Sequence, residues 1–229
     1  MLFQLLASSV MMMNKTKIYI ADTKALSNSN IFELYYKNVS CERQKKIDSF
    51  IFKKDKMLSL GAELLLKKAL SDFGVHKFDV SYKPYGKPYI KDSGLCFNLS
   101  HSEEKVMCVV SEKHVGCDVE KITDIELEIA KRFFYTTEYD EIAKLKNVSE
   151  QKNMFFRLWT LKESFMKATG LGMKLALDSF RIDLSNEITV IQNVSKHKYY
   201  FKEFDFNDGY KYAVCSLNKE FDAVKFVLF

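Results

Sequence analysis

Proline is nearly missing from this chain, with two among 229 residues, and glycine occurs only eight times. That composition excludes a collagen-like repeat and a Pro/Gly-rich disordered chain. Arginine is scarce as well. Of 35 basic residues only Arg43, Arg132, Arg157 and Arg181 carry a guanidinium, so a surface that reads bases bidentately is poorly supplied and nucleic acid is not an expected partner. The five cysteines are odd in number and contain no CxxC, which indicates neither a disulfide framework nor a zinc ribbon and points to a reducing, cytoplasmic setting. The nearest approach to a metal-binding set, Cys96, His101, Cys108, His114 and Cys117, falls largely in strand-like apolar runs where a buried free thiol is ordinary. Long apolar runs are absent too. The opening MLFQLLASSVMMMNK carries an apolar stretch of about a dozen residues, too short to span a bilayer. It also lacks the basic residues that precede the apolar part of a secretory signal. Residues 1–14 therefore read as an extension outside the fold, and no membrane partner is expected.

What the chain does have is apolar mass: 47% hydrophobic residues, 14% aromatic, 19 of them Phe. A chain of this length buries roughly 75% of the surface its unfolded form exposes, which is enough for a substantial core. The net charge of +5 suits an anionic small molecule or an acidic partner protein, and a solvated lysine-rich surface gives the same number.

Periodicity predicts an opening strand over 17–21 and one long helix within 50–73, stopped by Gly74. A strand at 78–82, a turn-rich loop at 83–88 and strands at 106–110 and 115–119 follow. The second half opens with helical patterns at 125–134 and 138–144, the latter with Thr137 and Asp140 as a capping box. A longer helix spans 151–169, and short alternating runs from 180 to 229 read as an antiparallel sheet. Helices followed by strands, twice over, give an α+β fold of two lobes, 15–114 and 115–229, meeting near residue 114.

Candidate chemistry starts with Asp118 and Glu120. Two apart on a strand, both carboxylates project from one face. Like charges that close favour a hard divalent ion such as Mg²⁺ between them, although a solvated strand edge has the same spacing. Glu163 and Lys167 are one turn apart on the long helix. They read either as an ordinary surface ion pair or as a third carboxylate and a cation for phosphate. Ser100 and His101, placed in a loop before the strand pair, offer donors to an anion. The basic stretches Glu42-Arg-Gln-Lys-Lys and Tyr85-Gly-Lys-Pro complete a mixture suited to a metal-bound, multiply phosphorylated ligand.

Taken together, Gly86-Lys-Pro, Phe97-Asn-Leu-Ser-His-Ser, Gly116-Cys-Asp-Val-Glu and Trp159-Thr-Leu-Lys-Glu-Ser-Phe-Met-Lys-Ala-Thr-Gly-Leu-Gly occur in order over nearly all of the chain from Lys15 onward. In this the sequence resembles the Sfp-type 4′-phosphopantetheinyl transferases. The short acyl-carrier-protein synthase class is about half as long, so the length favours the two-lobed, pseudo-twofold monomer. The resemblance implies transfer of phosphopantetheine from coenzyme A to a serine of an apo acyl or peptidyl carrier protein. It implies Asp118, Glu120 and Glu163 as Mg²⁺ ligands, with Glu163 also the base, and Lys167 and His101 as pyrophosphate contacts. Ser100, Lys87, Arg43 and Lys46 would surround the coenzyme's phosphates. Met57 stands where the family usually has a basic residue, four before Gly61, and Lys56 is the neighbouring substitute. A metal-dependent phosphohydrolase using the same acids on water and a non-catalytic nucleotide- or carrier-binding module are the competing readings.

Overall fold

The structure, a computed structural model, describes residues 15–229. The reading of 1–14 as an extension lies outside the described residues. The chain runs β1 (Lys15–Asp22), α1 (Ser29–Tyr36), α2 (Cys41–Asp48), α3 (Lys53–Ser71), β2 (Val80–Tyr82), β3 (Pro88–Ile90), β4 (Cys96–Ser102) and β5 (Lys105–Ser111). It continues with β6 (Val115–Lys121), α4 (Leu127–Phe133), α5 (Thr136–Ala143), α6 (Val148–Thr169), β7 (Arg181–Asp183), β8 (Thr189–Ile191), β9 (Tyr200–Phe204), β10 (Tyr210–Ser216) and β11 (Glu220–Val227).

The second half repeats the first. A strand, three helices, a short hairpin and a strand pair recur in the same order, and the sheets are ordered β1-β5-β4 and β6-β10-β9. The fold is α+β, and its duplication is visible in topology where no sequence repeat announces it.

Alternation of side chains builds four layers. Ile18, Ile20, Met107 and Val109 face the other sheet and meet Val115, Cys117, Val119, Tyr212 and Val214 there. On the opposite face Tyr19, Ala21, Val106, Cys108 and Val110 pack on Leu58, Leu65, Leu66 and Leu70 of α3. Likewise Ala213 and Cys215 of β10 pack on Leu158, Leu161 and Phe165 of α6. Helix, sheet, sheet, helix is the result, with β1 apolar on both faces because it is covered on both. Cys108 and Cys117 are fully buried in this core.

Four local expectations are corrected. The last strand, read as part of the C-terminal antiparallel set, pairs in parallel with β1 (Ile18 with Val224, Ile20 with Phe226) and completes the first sheet. The cap of α5 is not Thr137 with Asp140, since the Glu138 carboxylate accepts the Tyr135 N–H at 3.0 Å two positions earlier. Ser100 and His101 lie within β4, paired to Met107 and Val106 of β5, and not in a loop. The helix 151–169 begins three residues sooner, because Asn147 accepts the Ser149 N–H as its cap, and it ends at Gly170 in the left-handed region (φ 75°).

Candidate active site

β6 and α6 make the site. Gly116, Asp118 and Glu120 share the β6 face turned to α6. A Cβ at Gly116 would lie 2.2 Å from Ser164 O and 2.3 Å from Ala168 N, so only glycine lets the helix approach this closely. That approach brings Glu163 and Lys167 over the two strand carboxylates. Leu99, Ser100, His101, Asp118, Glu120, Trp159, Glu163 and Lys167 together line a cavity of about 360 Å³. A second hollow of about 660 Å³ adjoins it, sharing Glu120 and Trp159 and lined further by Ile125, Ile129, Phe155 and Phe156.

Asp118 is almost fully buried and is held by Lys167 Nζ at 2.6 Å and Ser100 Oγ at 2.8 Å, both on Oδ1. Its Oδ2 is buried without any hydrogen-bond partner. Glu120 Oε2 accepts from Ser102 Oγ at 2.8 Å. Desolvation first, and the Asp118 charge second, push Glu120 up to about 7 and raise Glu163 as well. For Lys167 desolvation, the largest single effect, works downward, but Asp118, Cys117 and Glu163 together outweigh it and the net shift is upward. His101 is lowered by desolvation and by the Lys167 ammonium, so it is a neutral donor at neutral pH.

Whether these residues fit a cation follows from the donors themselves. Three hard carboxylates converge, two of them with raised proton affinity and one with an orphaned anionic oxygen, a set that suits Mg²⁺ better than thiolate or imidazole would. Among the described residues no His, Cys, Asp or Glu side chains already form a closed ligand set of three, and Asp118 Oδ1 is engaged by Lys167.

The other sequence candidates are placed differently. Lys87 is half-buried and its Nζ donates to the backbone carbonyls of Val115, Lys167 and Ala168 at 3.0, 2.6 and 3.0 Å, and desolvation lowers it to about 8. Its ammonium caps the end of α6, away from the cavity. The Arg43 guanidinium turns to Ser59 O at 2.6 Å and to Glu63. Lys46 is exposed on α2 and Lys56 half-buried on α3. Met57 packs with Leu26, Val39 and Ile47 in a small cluster, which accounts for an apolar side chain at that position.

Sequence reasoning passed over Lys162 and Glu138. They form an ion pair with side chains 0% and 1% exposed. It also missed Ser102 and Asn98, whose polar alternation with Ser100 along Asn-Leu-Ser-His-Ser was a readable signal.

A duplicated α+β scaffold thus brings three carboxylates, a lysine and a histidine to one cavity at the seam of its sheets. The comparisons with known proteins narrow this. The family model of the 4′-phosphopantetheinyl transferase superfamily matches residues 114–215. The 4′-phosphopantetheinyl transferase Sfp of Bacillus subtilis (strain 168) is 36% identical over 195 residues, covering 82% of this chain and 87% of that one. The corresponding gsp protein of Aneurinibacillus migulanus is 37% identical over 192 residues, covering 82% and 80%. Among solved structures, a holo-(acyl-carrier-protein) synthase from Bacillus anthracis is similar at a TM-score of 0.38 and 18% identity, covering 45% of this chain and 93% of that one. This chain belongs to the Sfp-type 4′-phosphopantetheinyl transferase family.

Proposed function

We infer that the protein transfers the 4′-phosphopantetheine of coenzyme A to a serine hydroxyl of an apo acyl or peptidyl carrier protein, releasing adenosine 3′,5′-bisphosphate. The observation that carries this reading is the convergence of Asp118, Glu120 and Glu163 with Lys167 and His101 around one cavity, in a chain of this family. Asp118, Glu120 and Glu163 are the residues to hold Mg²⁺, which when bound neutralises pyrophosphate charge. Lys167 and His101 then donate to the phosphate oxygens. Glu163, with its raised proton affinity, accepts the serine proton as the serine oxygen bonds to phosphorus and the pyrophosphate bridge breaks.

Lys46 and Lys56, which have no ion-pair partner among the described residues, are free to meet the coenzyme's outer phosphates, whereas Lys87 and Arg43 are engaged by backbone carbonyls and, for Arg43, by Glu63. The free cysteines support a cytoplasmic setting; among the described residues no helix is long and apolar enough to cross a membrane. The internal duplication supports a monomer, since each chain supplies both lobes.

The test is mass spectrometry of apo carriers from fatty-acid, polyketide and peptide synthesis after incubation with coenzyme A and Mg²⁺. One phosphopantetheinyl group should be added to a serine. Unchanged carriers with coenzyme A hydrolysed would replace this reading by the phosphohydrolase.

A further inference from the structure

β6 is the outer strand of its sheet on the side away from β10, so the outward N–H groups of Cys117, Val119 and Lys121 have no strand neighbour within that sheet. Side chains of β4 meet them instead. Asn98 Oδ1 accepts from Cys117 N–H at 2.8 Å, Ser100 Oγ from Val119 N–H at 3.3 Å, and Ser102 Oγ from Lys121 N–H at 3.1 Å. A buried or half-buried backbone donor without such a partner is costly, and the two-residue step of the ladder matches the strand period on both sides.

Each serine hydroxyl has one proton left to give. Ser100 donates it to Asp118 Oδ1 and Ser102 to Glu120 Oε2, both at 2.8 Å. Ser100 also takes a contact from Lys167 at 3.1 Å, whereas Ser102 serves Glu120 alone. We propose that Ser102 is a positioning residue: its hydroxyl, oriented by accepting the Lys121 N–H, fixes one oxygen of Glu120 and so aims the other, Oε1, at the cation. Asn98 does half of the same work. It satisfies the strand edge and touches no carboxylate, which makes it the internal control.

This inference rests on the reading of Asp118, Glu120 and Glu163 as metal ligands. Its test is Mn²⁺ binding to the full chain, followed by electron paramagnetic resonance with saturating coenzyme A and no carrier, alongside thermal melts. Removing a partner that orients a ligand typically weakens metal binding about 10–100-fold. Ser102→Ala should do so, while Ser102→Thr, which keeps the hydroxyl, stays within about threefold of wild type. Asn98→Ala should lower the melting temperature yet also stay within about threefold for Mn²⁺. If Ser102→Ala does not fold, Ser102→Cys, a weaker donor and acceptor, takes its place with the same expectation.

Wild-type Mn²⁺ affinity in the serine variant, with Glu120→Gln weakened, overturns the positioning role and leaves the metal assignment standing. Equal weakening by Asn98→Ala, or no rescue by Thr, overturns it too, because the serine would then act through the strand alone. Unchanged binding in Glu120→Gln removes the metal assignment and the proposal with it.

Discussion

Replacing Lys162 by Met keeps the aliphatic stem and deletes the ammonium, and the structure fixes what is left behind. Lys162 Nζ donates to Glu138 Oε2 at 2.7 Å, Glu138 Oε1 at 2.9 Å and Phe180 O at 2.8 Å. Glu138 also accepts the Ile182 N–H at 2.7 Å and the Tyr135 N–H at 3.0 Å. The substitution therefore strands a buried carboxylate with two backbone donors and no counter-charge, and it orphans the Phe180 carbonyl. Breaking a buried pair from one side costs about 3–5 kcal/mol. The two remaining N–H donors place this case near the lower end, about 3 kcal/mol, which for a chain of this size corresponds to a fall in Tm of about 6–12 °C. Scanning calorimetry of Lys162→Met, Glu138→Gln and the double variant checks it. The double variant removes both charges, so its loss should be smaller than the sum of the singles by about 1 kcal/mol or more. A Tm drop under about 2 °C for Lys162→Met, or strict additivity, would refute the reasoning.

Glu163→Gln should lower kcat by about 10²–10⁴ while coenzyme A binding by calorimetry changes only a few-fold, since it removes the proton acceptor and spares the phosphate contacts. Gly116→Ala places a methyl against the backbone of α6 at 2.2–2.3 Å, and the forced displacement should cost about 1–3 kcal/mol or more in a melt and depress activity with it. The pH dependence of metal binding follows from Glu120, whose folded value lies above its unfolded one, at about 7. The metal-free fold holds this proton between the two values, so this group's contribution to stability falls as pH rises through that window. A cation competes with the same proton, so the Mn²⁺ dissociation constant should fall up to about tenfold per unit from pH 6 and level off above about 7. Flat binding across that range would contradict the assignment of Glu120.

The chemistry was more legible in the sequence than the architecture around it. Asp118 and Glu120 share a face because strand side chains alternate, and Glu163 and Lys167 share one because they are a helical turn apart; both are local rules that need no knowledge of the partner element. Residue pattern alone left the convergence of the two elements open. Their meeting depends on Gly116, whose missing Cβ matters only once α6 lies across it. The setting of Lys87 was illegible in the sequence for a similar reason. A lysine in a turn-rich loop reads as a phosphate ligand, but its ammonium reaches over to the last turn of α6, where the carbonyls at the end of a helix are a strong competing acceptor. The parallel pairing of β11 with β1 was equally invisible, since alternation gives the face of a strand and says nothing about the strand beside it.

Ser100 and Ser102 show why a polar alternation reads as a loop. Phe97 and Leu99 point to the core under α3, while Asn98, Ser100 and Ser102 point the other way, which is ordinary strand patterning with a polar face. On a solvent-facing strand such residues are interchangeable. Here the polar face meets the unpaired edge of β6, and each hydroxyl must both accept a backbone N–H and donate to a carboxylate. Two strands that share no backbone ladder are thereby held in register by side chains. The register delivers Asp118 and Glu120 to the mouth of the cavity beneath Glu163, so the device that closes the seam between the halves is also the one that assembles the acids.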